Sequence, residues 1–151
     1  MKADQNTKAE RPWGEEALDE VLASNTAVSV DPRGADLFIE ALQRYEWVGS
    51  AIGWHTYPDA VKALTDSPAD AVSFVTDALR RLDLNPDIPV LTVLDGVFDE
   101  ALACTAGDLP QLAGTLWELP CDFYMGPATC DGEWAIEFRM AGDAGAGKAT
   151  P

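Results

Sequence analysis

The sequence predicts an α+β fold in a single domain, with several helices packed on a small sheet that ends in a C-terminal antiparallel hairpin. Two observations support this prediction. Segments with apolar residues at helical spacing are interspersed with short β-branched runs, and residues 131–140, DGEWAIEFRM, alternate apolar and polar side chains. A chain of 151 residues suits one domain. We expect one globular domain over residues 12–141, flanked by flexible tails at 1–11 and 142–151.

The helix after Ser67 carries the clearest signals. Ser67 is a candidate N-cap, Pro68 stands at the first helical position, and Asp70 lies three residues after the cap. Apolar spacing indicates the other helices. These cover about 13–24, 35–48, 58–65 and 107–119, the last with Asp108 as its cap.

Two further segments are predicted strands before the C-terminal hairpin. Residues 26–31, TAVSVD, end at an Asp-Pro pair, which is a turn signal. Residues 88–94, IPVLTVL, are rich in branched apolar side chains and carry no charge, which is typical of a strand buried on both faces.

The C-terminal hairpin is predicted from residues 121–126 and 133–140, which bracket the turn-rich segment PATCDG. Side chains alternate between the two faces of a strand, so one face should meet the core and the other water. We expect Trp134, Ile136 and Phe138 to be buried, and Glu133, Glu137 and Tyr124 to be exposed.

The charge distribution is the strongest functional signal. The net charge is −16, and no Lys or Arg stands between Arg81 and Arg139. Phosphates would repel such a surface, so it argues against binding to nucleic acid or to an anionic membrane. It favours a basic protein partner, or serves only solubility. The N-terminal residues have no signal-peptide core and no run is long enough to span a membrane, so we expect a cytoplasmic protein.

Candidate chemistry is sparse. His55, the only histidine, could act as a general base oriented by Asp59, but no nucleophile elbow accompanies it. The three cysteines lack metal-ligand spacing. Asp95, Asp99 and Glu100 follow a predicted buried strand, where a Mg²⁺ site or a simple turn would both account for them. We predict no catalytic residue, no metal and no cofactor, and keep as an alternative a small enzyme using His55 or the three carboxylates.

The residues predicted to bind a basic partner combine the carboxylates after the buried strand with the polar face of the hairpin. Such a patch would speed association and set specificity. The set is Asp95, Asp99, Glu100, Asp122, Tyr124, Glu133 and Glu137.

The stretch LPCDFYMGPATCDGEWAIEFRM, residues 119–140, resembles bacterial immunity proteins that neutralise polymorphic or contact-dependent toxins. A D-x-Y strand, Asp122 to Tyr124, precedes a turn and a W-x-I-x-F strand, Trp134 to Phe138. The resemblance covers this stretch alone and transfers no functional residue, because immunity families share no common site. It implies a high-affinity inhibitor without catalysis, often of a nuclease. A phage-type inhibitor, or a DNA mimic aimed at a nucleic-acid-binding protein, is the alternative within the same binding class.

Overall fold

The computed structural model describes residues 12–32 and 34–149. The predicted N-terminal tail, residues 1–11, lies outside these residues, as do positions 33, 150 and 151. No helix in the described part of the chain has the length and apolar character needed to cross a membrane.

The elements follow one another with short connections. Brief 3₁₀ turns occur at Trp54–Thr56 and Ala106–Asp108. The helices are α1 Pro12–Ser24, α2 Gly34–Leu42, α3 Pro68–Arg81 and α4 Leu109–Leu116. The strands are β1 Ser29–Asp31, β2 Trp47–Val48, β3 Ala51–Ile52, β4 Val61–Leu64, β5 Pro89–Leu94, β6 Ala101–Thr105, β7 Phe123–Pro127, β8 Trp134–Phe138 and β9 Asp143–Lys148.

Seven strands form one antiparallel sheet in the order β1-β6-β5-β7-β8-β9-β4, and β2 and β3 form a separate small hairpin. Together with the four helices, this confirms the predicted α+β class. The sheet is larger than the sequence predicted because β4, β6 and β9 were not recognised as strands.

Both faces of the sheet are covered. Side chains of α1, α3 and α4 pack on one face, where Phe74 of α3 meets Phe138 of β8 with ring centroids 5.7 Å apart. On the other face, α2, the β2–β3 hairpin and the first 3₁₀ turn place Phe38, Tyr45 and Trp54 against the sheet. The central strands are therefore buried on both sides, as β5 was predicted to be.

The predicted C-terminal hairpin is present as β7 paired with β8. Phe123 and Phe138 are opposite one another and their rings stack with centroids 4.7 Å apart. Trp134, Ile136 and Phe138 are buried, as expected. The predicted cap of α3 is also confirmed, since the Ser67 hydroxyl oxygen accepts a hydrogen bond of 3.1 Å from the backbone N–H of Asp70.

Two predicted helices were wrong in type or extent. Residues 61–64 of the expected helix 58–65 form β4, which pairs with β9 along the edge of the sheet. The expected helix 35–48 ends at Leu42, and the chain turns into the β2–β3 hairpin. In both places pairing with a distant or following strand overrode a local helical pattern.

The predicted C-terminal tail, 142–151, was also wrong over residues 143–148, which form β9 between β8 and β4. Its small side chains are a packing requirement, because the Trp54 indole lies directly on Gly145 and Gly147. A Cβ at Gly145 would lie 2.1 Å from Trp54 Cδ1. The Gly- and Ala-rich composition of this segment, which is typical of disordered tails, here leaves room for a large aromatic ring.

Candidate functional site

The antiparallel topology brings one set of loops to a single end of the sheet, which we call the acidic end. It carries the C-terminal ends of β4, β5 and β8 and the N-terminal ends of β6, β7 and β9. Three segments lead into strands there, 95–100 and 139–142 from another strand and 117–122 from α4, and they contain Arg139 as their only Lys or Arg. The carboxylates at or beside these strand ends are Asp66, Asp95, Asp99, Glu100, Asp122 and Asp143.

The opposite end carries charges of both signs. Arg44, Arg81 and Lys148 line one cleft of about 760 Å³, together with Asp59 and Glu133. The register places Lys148 opposite Trp134, at the far end of β8 from Asp122. The carboxylates of the acidic end are thus offset by fewer cations than the two carboxylates of this cleft.

Asp95 and Asp122 occupy neighbouring loops at the acidic end, since the backbone N–H of Asp95 donates to the carbonyl of Asp122 over 2.9 Å. The Asp122 carboxylate accepts a 2.7 Å hydrogen bond from the N–H of Met140 and pairs with Arg139, 3.5 Å from its Nε. Asp122 is therefore a half-buried, partly neutralised group. Asp95 is exposed and has no ion pair within the described residues.

Asp99 and Glu100 lie in the β5–β6 loop, which packs against the start of α1 beside a groove of about 200 Å³. Gly96 opens this loop at φ +85°, a conformation that side-chain-bearing residues rarely adopt. Within residues 12–32 and 34–149, no three His, Cys, Asp or Glu side chains are arranged to hold a metal ion. The four predicted carboxylates 95, 99, 100 and 122 lie at one end of the sheet without forming such a group.

Two of the predicted partner-binding residues are buried, so the expectation that they are exposed was wrong. Glu137 is 2% exposed and Tyr124 is 7% exposed, and they are opposite one another in β8 and β7. The prediction assumed that one face of the hairpin meets water. That face is instead covered by the segment from β2 to the first 3₁₀ turn.

Glu137 ties this covering segment to the sheet. One carboxylate oxygen accepts a 3.0 Å hydrogen bond from the N–H of Ile52, and the other accepts a 3.1 Å bond from the indole N–H of Trp54. Burial raises the pKa of the Glu137 carboxyl above its usual range, and the two hydrogen bonds and Arg139 partly offset that rise. The predicted alternation of side chains along β8 is correct, but the carboxylate at its polar position 137 is buried and has a structural role.

Glu133, the remaining predicted residue, is exposed but lies just before Trp134, at the opposite end of β8 from Asp122. A five-residue strand spans roughly 16 Å. Glu133 therefore does not join the acidic end, and it lines the cleft that contains Arg44, Arg81 and Lys148.

His55 lies in the first 3₁₀ turn and is exposed. It lines a shallow cleft of about 490 Å³ together with Glu137, Lys62 and Asp143. Both Glu137 oxygens already accept hydrogen bonds from the protein. Asp59, which the sequence offered as an orienting partner, lines the other cleft.

The cysteines are free thiols. Burial, with a smaller contribution from nearby carboxylates, raises the pKa of both Cys104 and Cys121 to about 12, so neither forms a reactive thiolate at neutral pH. Cys121 precedes β7 and Cys130 follows it, so the two lie at opposite ends of that strand. This placement excludes a disulfide between Cys121 and Cys130.

The sequence analysis missed a pocket beside the acidic end. Trp47 of β2, Tyr124 and Asp95 line it. A signal was present, because Gly49-Ser50 is a two-residue hairpin loop of the kind that joins short strands, and Gly49 has φ +65°. Because residues 35–48 were predicted to form one helix, the β2–β3 hairpin and its loop were not recognised.

Comparison with known proteins gives no assignment for this chain. No protein-family model, no curated protein and no solved structure matches it.

Proposed function

We propose that this chain is an immunity-type inhibitor that binds a basic toxin domain, by preference a nuclease, and neutralises it by occlusion. The observation that carries the proposal is the concentration of carboxylates at one end of the sheet. Asp95, Asp99, Glu100 and Asp122 lie at one end, and a cleft lined by three cations lies at the other.

Dense carboxylates on one end of a small protein attract and orient a cationic partner during diffusion. A nuclease needs a positive surface to bind phosphate, so an inhibitor that covers this surface competes directly with the substrate. The resemblance of residues 119–140 to immunity proteins points to the same class of partner.

The arrangement favours an inhibitor over a DNA mimic. A mimic should space its carboxylates along an elongated face, as phosphates are spaced along a duplex. Here the carboxylates gather in neighbouring loops, and Asp95 borders a pocket that contains Trp47 and Tyr124. Buried aromatic side chains beside a charged rim are typical of protein–protein interfaces.

The test uses the domain encoded immediately upstream, the usual position of a toxin gene relative to its immunity gene. The C-terminal domain of that product is purified, and its activity and association rate are measured with increasing amounts of this chain. The paired reversal Asp95→Lys and Glu100→Lys is compared with the control Glu133→Lys, at the opposite end of the sheet. We expect the pair to slow association about tenfold or more at low salt and the control to have little effect.

Salt gives an independent measure. Raising ionic strength from 0.1 to 1 M shortens the screening length from about 10 to about 3 Å, so association of the unmodified chain should slow steeply. If the association rate depends neither on salt nor on the paired reversal, the competing explanation is supported, namely that the charge serves only solubility.

A second candidate, a small enzyme, is favoured by one observation: His55 and Glu137 line the same cleft. Replacement of His55 by Ala separates the two. An inhibitor should neutralise its partner as well as before, because His55 is not one of the four carboxylates proposed to bind the partner. Loss of function in a folded variant that still binds the partner would favour the enzyme.

A further inference from the structure

A pocket of about 250 Å³ lies between the end of α2, the β2–β3 hairpin and the acidic end of the sheet. We call it the Trp47 pocket. Apolar side chains such as Leu42 and Val93 form what we call the apolar floor of the pocket. The exposed side chain of Ile39 extends this apolar surface. Three polar side chains, Gln43, Ser50 and Asp95, stand around this apolar floor.

The aromatic side of the pocket is held in place. The rings of Trp47 and Tyr124 lie 5.9 Å apart at an angle of 56°. The Trp47 indole N–H donates a 3.0 Å hydrogen bond to the carbonyl of Leu42, at the end of α2, which fixes the plane of the ring. A preformed aromatic wall attracts a cation through the negative faces of its rings.

Asp95 gives the pocket a negative charge, and its other polar groups, the Gln43 amide and the hydroxyls of Ser50 and Tyr124, can accept as well as donate hydrogen bonds. Asp95 is exposed and has no ion pair within the described residues. The Tyr124 hydroxyl has no hydrogen-bond partner in the same part of the chain. Burial, followed by the nearby Glu137 and Asp122 carboxylates, raises the pKa of this hydroxyl, so it stays neutral and can accept a hydrogen bond.

Arg139, a cation beside the pocket, is already engaged. The Arg139 guanidinium pairs with Asp122, 3.5 Å from its Nε, and donates a 3.0 Å hydrogen bond to the Ser50 hydroxyl. Its charge is matched by Asp122, so the charge of Asp95 is left for an incoming group.

We propose that the Trp47 pocket receives an arginine side chain of the basic partner, an inference that rests on the proposed function. The apolar floor accommodates the methylene stem, and the guanidinium stacks on Trp47 and donates to Asp95. Arginine fits better than lysine because its planar head stacks on aromatic rings and keeps several N–H donors in fixed directions. One such side chain at the centre of a charged rim would anchor the complex, while the surrounding carboxylates steer it.

The test uses the intact protein and n-butylguanidinium, a probe with the stem and head of arginine. Binding is followed through the indole N–H resonance of Trp47 in ¹⁵N-labelled protein. N-butylurea, a neutral probe of the same shape, and n-butylammonium, a lysine analogue, are the comparisons. We expect saturable shifts with n-butylguanidinium, and affinity at least about tenfold lower for n-butylurea. The lysine analogue should bind more weakly than the arginine analogue.

Two substitutions locate the site. Asp95→Asn should weaken n-butylguanidinium about fivefold, and Asp66→Asn, a matched exposed change at the same end of the sheet, should leave it unaltered. Trp47→Leu should weaken it about tenfold. Equal binding of the guanidinium and the urea, unaltered affinity in Asp95→Asn, or tighter binding of n-butylammonium would each overturn the assignment.

The outcomes separate this inference from the proposed function. Salt-dependent neutralisation of a basic partner, without probe binding, would reject the pocket and leave the inhibitor standing. Probe binding at Trp47, without a basic partner being neutralised, would keep the pocket and reject the inhibitor.

Discussion

Replacing Glu137 by Ala removes the acceptor for two buried donors, the N–H of Ile52 and the indole N–H of Trp54. An unsatisfied buried donor costs about 1–3 kcal/mol, so the two together cost about 2–6 kcal/mol of unfolding free energy. Glu137→Gln keeps one carbonyl acceptor but turns an NH₂ group toward the other donor, and should cost about 1–3 kcal/mol. Glu137→Ala should therefore lower the unfolding free energy more than Glu137→Gln does.

The same carboxylate makes the stability depend on pH. Burial raises the pKa of folded Glu137 above its unfolded value. Between the two pKa values the folded state binds more protons than the unfolded state, so the unfolding free energy falls as pH rises through that window. Glu137→Gln does not titrate there. The stability of the unmodified chain, measured relative to Glu137→Gln, should therefore be largest at acid pH and decrease as pH rises above the usual glutamate range.

Urea unfolding followed by tryptophan fluorescence measures both effects, because Trp54 contacts Glu137 directly. Glu133→Gln is the matched control, since Glu133 lies on the same strand segment but is exposed. It should change the unfolding free energy by less than about 0.5 kcal/mol at any pH. If Glu137→Gln proves no less stable than Glu133→Gln, Glu137 does not hold the covering segment to the sheet and our explanation of its burial fails.

Three further outcomes test the packing. Phe138→Ala should cost about 3–5 kcal/mol in urea unfolding, because it empties a stacked position of the core; a cost near zero would contradict its burial. Gly145→Val should destabilise the fold and shift the emission of Trp54, because a Cβ would overlap the indole; unchanged stability would disprove this contact. Cys104 and Cys121 should resist alkylation at pH 8 until urea unfolds the chain, since their thiol pKa values are about 12; rapid labelling of the folded protein would refute this.

The sequence correctly predicted the helices and strands whose signals lie within a short stretch of the chain. The cap at Ser67, the apolar run of β5 and the alternation of β8 each identified a real helix or strand. They could not tell how many faces of the sheet are covered. That depends on residues 47–57 folding back over β7 and β8, and this contact placed Glu137 and Tyr124 inside the protein.

Strand pairing over long sequence separation was equally hidden. The sequence of residues 61–64 is typical of a short helix, but in the structure these residues pair with β9. The sequence of β9 is typical of a flexible tail, but its glycines make room for the Trp54 ring. The four carboxylates of the candidate site, 95, 99, 100 and 122, lie at the same end of the sheet because each adjoins an end of β5, β6 or β7, where antiparallel register brings loops together. Glu133 was misplaced because register also separates the two ends of β8.

The position of β9 has a consequence for biosynthesis. β4 leaves the ribosome early, but its only partner in the sheet is β9, the last described strand to be made. Until Lys148 has emerged, β8 presents an unpaired edge, and β4 has no strand to pair with. A nascent chain stalled before this point, or one clipped after β8, would expose a strand edge open to intermolecular pairing. Translation to the end of β9 is therefore the step that covers the edge of β8 and brings β4 into the sheet.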